Sequence, residues 1–405
     1  MDYNTNISGG NRMKEKIEQL AEKHLERIME MRRELHKVPE LGFKEFKTAE
    51  IIKKELERIG IPYESEIAVT GIVGLIKGKK EGKTVLLRAD IDALPIDEES
   101  RCEFKSEIAG NMHACGHDGH AAGLLGAAMI LNELKDEIAG NIKLVFQPAE
   151  EGPGGADPMI KAGILENPKV DAAFGCHIWP AYKAGQILVK DGDMMSHTTS
   201  FDIMIQGVGG HGSQPEKTVD PIIIGSQIVT NFQNIISRNI STLKPAVLSC
   251  CSIKAGETYN VIPDKLTIKG TIRTFDEELT NEIVERMEGI IKGITSSYGA
   301  SYIFDVKRMY PAVKNDHEMF EFSKETLGKV VGEENIIVMK EPLMGSEDFS
   351  YFGKKVPSNF FLVGVRDTQE DIESMLHHPR LLWDEKHLKI SAKALSQLAV
   401  DFLNK

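Results

Sequence analysis

The sequence predicts an α/β protein on a mainly parallel sheet, interrupted by an inserted ferredoxin-like α+β domain. Two observations predict this. Three short apolar runs, at 84–88, 141–146 and 170–175, alternate with helical stretches, and each is followed by a polar or ligand-type residue. Such alternation marks a parallel sheet, and sheets of this kind form sites outside the carboxyl ends of their strands. Residues 198–308 then read strand, helix, strand, strand, helix, strand, which is the ferredoxin-like order.

The elements follow in order. Ile17, Leu20, Leu25, Ile28 and Met29 recur at helical spacing within 13–58, as do Ile51, Ile52, Leu56 and Ile59 after a break at 38–42. Ser8-Gly9-Gly10-Asn11 is expected as a flexible leader before that helix. A strand at 84–88 runs into Asp90 and Asp92, and a helix rich in small residues is expected at 121–134. Strands at 141–146 and 170–175 lead into Glu150-Glu151 and His177. The insertion is read as strands 198–206, 246–253, 264–275 and 301–308 with helices 219–238 and 277–298. A helix at 317–331, a strand at 359–363, the His377-His378 loop and a helix at 388–403 complete the chain. Residues 1–195 and 310–405 are therefore expected to form one discontinuous domain, with 196–309 inserted.

Composition narrows the function. Lys and Arg total 49 against 61 Asp and Glu, so the formal charge is 49 − 61 = −12. No basic stripe is visible, which argues against nucleic acid and against an anionic membrane as partner. No apolar run is long enough to span a bilayer, and the N-terminal residues lack the apolar core of a secretory signal. Five scattered cysteines suggest no disulfide framework, so a cytoplasmic location is expected. Cys250-Cys251 is expected to be buried apolar filling.

The chemistry lies in four clusters. His113, Cys115, His117 and His120 share a small, polar, glycine-containing run. Glu150-Glu151 closes an apolar strand and precedes Gly152-Pro153-Gly154-Gly155, where a helical surface face is impossible. Two carboxylates held together repel unless a cation is near. A metal on Glu151 would resolve that repulsion and leave Glu150 as a proton shuttle. His177 and His377-His378 add imidazoles, and Cys, His and Glu are the side chains that bind zinc-like ions. Each cluster alone reads as ordinary loop or surface; together they indicate a metal centre assembled from distant segments.

Nine stretches resemble the amidohydrolase branch of the M20 metallopeptidase family: RELHKVPELG at 33–42, LRADIDALP at 87–95, MHACGHDGH at 112–120, QPAEEG at 147–152, GCH at 175–177, GHGS at 210–213, NVIPD at 260–264, GSEDF at 345–349 and LHHP at 376–379. They occur in order across nearly the whole chain. The resemblance implies a zinc-peptidase-like catalytic domain, with the insertion as a lid and dimerisation domain. It implies two divalent ions (zinc, manganese, cobalt or nickel) on Cys115, His117, Glu151, His177 and His377, with Cys115 bridging where other branches place an aspartate. His377 is chosen over His378.

Glu150 is then the general base, and Asp92 holds a ligand histidine in one tautomer. Asp90 stands where other branches carry a ligating histidine. By the same resemblance His211 stabilises the oxyanion in a neighbouring subunit's site, which implies a homodimer or homotetramer. Asn260 and Arg273 grip a substrate carboxylate, and Gly345 lines the pocket. For Arg273 an exposed sheet face is an equal reading. The implied reaction is hydrolysis of an N-acyl-L-amino acid or short peptide. A carboxypeptidase or dipeptidase, an aminopeptidase and a non-catalytic metal-binding protein of the same fold are the alternatives.

Overall fold

The computed structural model describes residues 3–367 and 375–405. Its contacts divide into two compact units: Met1–Met194 with Lys314–Glu341 and Asp348–Lys405, and Met195–Val313 with Pro342–Glu347. In chain order the first stretch carries α1 (Tyr3–His36), α2 (Phe46–Arg58), β1 (Tyr63–Ile67), β2 (Gly71–Lys77), β3 (Lys80–Asp90), α3 (His117–Leu134), β4 (Ala139–Gln147), α4 (Ala156–Lys161), β5 (Ala172–Lys183) and β6 (Ile187–Val189). Next come β7 (Gly192–Met195), β8 (His197–Gln206), β9 (Gly210–His211), α5 (Pro221–Asn234), β10 (Ala246–Lys254), β11 (Val261–Ile262), β12 (Lys265–Thr274), α6 (Glu277–Tyr298) and β13 (Ser301–Arg308). The chain ends with β14 (Val313–Asn315), α7 (His317–Val331), β15 (Ile336–Val338), α8 (Ser350–Gly353), β16 (Ser358–Arg366) and α9 (Leu388–Leu403).

The first unit is built on an eight-stranded sheet in the order β1-β2-β4-β3-β5-β16-β6-β15. Its central strands β4, β3, β5 and β16 pair in parallel, as the alternating sequence pattern predicts. The antiparallel strands β1 and β2 extend one side. Ile72 and Ile76 of β2 are buried, so that short apolar run holds a strand the helix-and-strand reading passed over. Helix α1 buries Ile17, Ala21, Ile28, Met31 and Leu35, a stripe at helical spacing. That helix begins at Tyr3, so it takes in the expected leader; adding a residue to a formed helix gains a hydrogen bond without a new nucleation cost. Helix α3 is buried on nearly all sides, and its run of alanines and glycines lets α1 and α9 approach closely.

The second unit contains a four-stranded antiparallel sheet in the order β10-β12-β8-β13. With α5 and α6 this is the ferredoxin-like arrangement. Phe201, Ile203, Ile205, Leu266, Ile268 and Ile272 bury against Ile224, Ile228, Phe232, Ile283 and Met287 of the helices. One expectation fails here. Cys250 is half-buried and Cys251 is exposed, because β10 is an edge strand with a bulge between Cys250 and Ser252 that disturbs its inward alternation. Among the described residues, no helix is long and apolar enough to cross a membrane.

Candidate metal centre

The parallel register brings the acidic loops together. Asp90, the last residue of β3, pairs with Gln147, the last of β4. The chain beyond β3 delivers Asp92, and the chain beyond β4 delivers Glu150 and Glu151. Asp92 Oδ1 accepts the Glu150 backbone N–H and Oδ2 accepts that of Glu151, both at 3.0 Å. One carboxylate therefore sets the position of both acidic residues.

His177 corrects the sequence reading. It lies within β5, not past its end, and pairs with Leu362 of β16. The β3–β5 ladder stops at Arg88 and Gly175, while β5 continues beside β16. His177 thus stands just past the last β3–β5 pair, while β3 itself continues beside β4 to Asp90. Helix α3 starts at His117, after Gly116 at φ 87°. A Cβ on Gly116 would lie 2.3 Å from Ile178 Cδ1, so any side chain there would have to displace Ile178 while holding a left-handed backbone. The His377 loop is fixed by its own backbone, whose N–H donates to Ala114 O at 2.7 Å.

These segments bring the expected donors together. Cys115 Sγ is 3.3 Å from His177 Nε2, and His377 Nε2 is 2.9 Å from Glu151 Oε1. Donor atoms of Cys115, His117 and His177 all lie within 4.8 Å of one another, and so do those of Cys115, Glu151 and His377. Cys115 is common to both groups. Glu150 joins His117 and Glu151 in a further group and is buried. Of the adjacent pair 377–378, His377 faces Glu151, while His378 Nδ1 accepts the Arg380 N–H.

The tautomers suit a metal. His117 Nδ1 donates to Asp92 Oδ1 at 3.2 Å, and His177 Nδ1 donates to Ile178 O at 2.6 Å. With Nδ1 so engaged, each ring turns Nε2 toward the other donors. Burial lowers the pKa of His117, but the Asp90 charge and the Asp92 bond outweigh it and raise it to about 10, so a metal would take the place of its Nε2 proton. His117 Nε2 is buried with no hydrogen-bond partner. Glu151 Oε1, though close to His377 Nε2, has no aligned hydrogen bond either. Buried polar atoms left this way are costly, and a cation beside each would satisfy it.

The electrostatics agree. Burial, with the charges of Glu151 and Glu150, pushes the Cys115 thiol well above its usual range. Burial is the main cause that holds His177 well below its own. Burial would raise Glu151, but the nearby imidazoles of His377 and His117 outweigh it and lower its pKa. A buried thiol beside two carboxylates is an unfavourable set of groups without a cation, and a metal takes the sulfur as thiolate. The residues present thus fit divalent ions.

Residues given no role by sequence reasoning also gather here. Asp90 Oδ1 is 2.5 Å from His120 Nδ1, and Asp90 Oδ2 accepts Arg88 Nη1 at 2.9 Å. Arg88 also donates to Asp348 and Gln147. The apolar look of residues 84–88 hid the fact that Arg88 is among the largest fully buried side chains.

The remaining expected residues lie in the second unit. His211 is exposed, and its Nδ1 accepts from Ser213 N at 3.1 Å and Oγ at 2.8 Å, which leaves Nε2–H as an outward donor. Asn260 is exposed, with its carbonyl accepting the Gly212 N–H. Arg273 is half-buried rather than on an open face, and its Nη1 donates to Thr198 Oγ1 and to Ser346 Oγ at 2.9 Å. Gly345 is exposed, and its carbonyl accepts the Ser196 N–H at 2.7 Å.

Comparison with known proteins gives a consistent family. Residues 86–401 match the model for peptidase family M20/M25/M40. The chain is 41% identical over 384 residues to thermostable carboxypeptidase 1 of Saccharolobus solfataricus, covering 93% of this chain and 96% of that protein. It is 44% identical over 306 residues to an N-acyl-L-amino acid amidohydrolase of Geobacillus stearothermophilus, covering 75% and 82%. A crystal structure of a dinuclear metal-binding M20 peptidase from Bacillus subtilis superposes with a TM-score of 0.80 at 35% identity, covering 95% of this chain and 99% of that one.

Proposed function

Because the chain belongs to peptidase family M20/M25/M40, we propose that it is a two-metal amidohydrolase that cleaves N-acyl-L-amino acids to a carboxylate and a free amino acid. The single observation that supports this best is the sharing of Cys115 between two donor groups, His117 with His177 and Glu151 with His377, beside the buried carboxylate of Glu150. Divalent ions held there (zinc, manganese, cobalt or nickel) would acidify a water and polarise the acyl carbonyl. Glu150 takes the proton of that water and returns it to the leaving amine. Asp92 keeps His117 in one tautomer and holds Glu150 in place.

In this reading the first unit supplies the ion chemistry, and residues 196–309 form a lid and dimerisation domain. His211 donates Nε2–H to the developing oxyanion in the site of a second copy, so the protein works as a homodimer or homotetramer. Exposed Val208, Tyr259 and Val261 beside the His211 turn are apolar surface that a second copy would cover. Arg273, with its planar fork, and Asn260 hold the substrate carboxylate, and Gly345 lines the pocket. The five free cysteines suit a reducing cytoplasm.

A second reading, a carboxypeptidase acting on short peptides, is favoured by the S. solfataricus relative. A panel of N-acetyl and N-benzoyl amino acids against unblocked and blocked dipeptides separates the two. Glu150→Gln tests the mechanism. It should keep the bound ions and lower kcat by about 10²–10⁴-fold. Full activity in that variant removes Glu150 from its role.

A further inference from the structure

We propose that His120 is a positioning residue of the metal centre and not one of its ligands, tying helix α3 to strand β5 behind His117 and His177. The inference rests on the metal-centre reading above and gives a role to the last imidazole of the Cys/His run.

His120 is buried, one turn along α3 from His117, with ring centroids 5.3 Å apart. Asp90, His117 and His120 are close enough together to hold an ion by distance alone. The hydrogen bonds argue otherwise. His120 Nε2 accepts the backbone N–H of Ile178 at 2.9 Å, so its lone pair is in use. The proton must then sit on Nδ1, which faces Asp90 Oδ1 at 2.5 Å. Asp90 is occupied as well, because its Oδ2 accepts from Arg88. His120 therefore has no lone pair left for a cation without breaking a buried bond, and Asp90 is turned toward His120 and Arg88.

What the bond to Ile178 achieves follows from the sheet. The β3–β5 ladder ends at Arg88 and Gly175, so the backbone of β5 beyond that point has lost its partner on the β3 side. His120 supplies an acceptor there. The Ile178 carbonyl in turn accepts from His177 Nδ1, which turns His177 Nε2 toward Cys115 Sγ, 3.3 Å away. On its other side, the Asp90 carboxylate that receives His120 also lies 3.6 Å from His117 Nε2. One imidazole therefore sets the relative position of two expected ligands that come from different elements.

Cobalt(II) titration of metal-free wild type, His120→Leu and His120→Gln tests this, read by bound cobalt per chain, by chelator competition and by the thiolate-to-cobalt absorption band. All three proteins should take up the same number of ions at saturation. His120→Leu should bind them roughly 10–100-fold more weakly, the usual effect of losing a partner that orients a ligand. His120→Gln should recover most of that loss, because its amide offers one acceptor and one donor. Thermal melting of the metal-free forms separates this from general destabilisation. One ion fewer per chain in both variants would make His120 a ligand and overturn the proposal, as would an unchanged affinity in His120→Leu. If His120→Leu does not fold, ¹¹³Cd-loaded wild type with ¹⁵N-histidine decides: coupling is expected at His117 and His177, and coupling at His120 refutes the assignment. Wild type that shows no thiolate band would instead sink the underlying metal-centre reading.

Discussion

Asp92 Oδ1 lies 3.2 Å from His117 Nδ1, and the same carboxylate accepts the backbone N–H groups of Glu150 and Glu151. A side chain that touches no substrate thus aligns an expected ligand, an expected base and the loop between them. Three N–H donors converge on it, so it must be an acceptor at both oxygens.

Asp92→Asn replaces one acceptor with a donor facing a donor. Metal affinity is expected to fall roughly 10–100-fold, with kcat lowered as Glu150 shifts. Chelator competition and steady-state kinetics check both; unchanged affinity would show that His117 is oriented by something else.

Cys115 is the donor common to both groups. Cys115→Asp should still bind ions but shift preference from zinc toward manganese, since carboxylate is harder than thiolate. Cys115→Ala should weaken every ion bound. Equilibrium dialysis with each metal measures this, and a Cys115→Ala protein that binds zinc normally contradicts it.

His36 gives a pH prediction away from the ions. Its Nδ1 faces Asp118 at 2.9 Å and its Nε2 faces Glu98 at 3.3 Å. Burial pushes its pKa down, but the hydrogen bonds to Asp118 and Glu98 and the Asp118 charge outweigh that and raise it to about 9 from a usual 6.5. A raised cationic group stabilises fully below its unfolded pKa, and that contribution is lost as pH rises through the folded one. The His36 contribution, about 3 kcal/mol, should therefore be lost between pH 6.5 and 9. Glu98 works in the opposite direction. Burial raises it, but hydrogen bonds from His36 and Ser100 bring it down to about 2, so its contribution is lost only as pH falls from 4.5 toward that value. Urea unfolding across the alkaline window should show a steeper slope in wild type than in His36→Gln, where only the His117 contribution is left.

Gly116→Ala combines a left-handed backbone with a clash on Ile178. The backbone alone costs about 1–2 kcal/mol, and the displaced Ile178 should weaken metal binding as well. Urea midpoints and metal affinity report the two effects, and a neutral substitution would show that α3 and β5 have room to separate.

Much of the candidate site was legible in the sequence because Cys115, His117 and the Glu150-Glu151 pair lie in or beside short glycine-containing segments. Asp92, Cys115, His117, Glu150, Glu151, His177 and His377 all come together in the first unit. The residues without an assigned role belong to bonds that no spacing reveals. His120 acts through a backbone N–H of β5, and Arg88 looks like part of an apolar strand until its partners on Asp90, Gln147 and Asp348 are seen. Strand limits were misread where local pattern is silent. β5 runs past His177 because β16 accompanies it, and the exposure of Cys251 follows from an edge bulge.

The central claim is that Cys115 lies between two cations. The most direct test is an anomalous difference map from crystals grown with zinc. The account predicts two peaks, each about 2.3 Å from Cys115 Sγ, one beside His117 and His177 and the other beside Glu151 and His377. A single peak, or peaks remote from that sulfur, would contradict it.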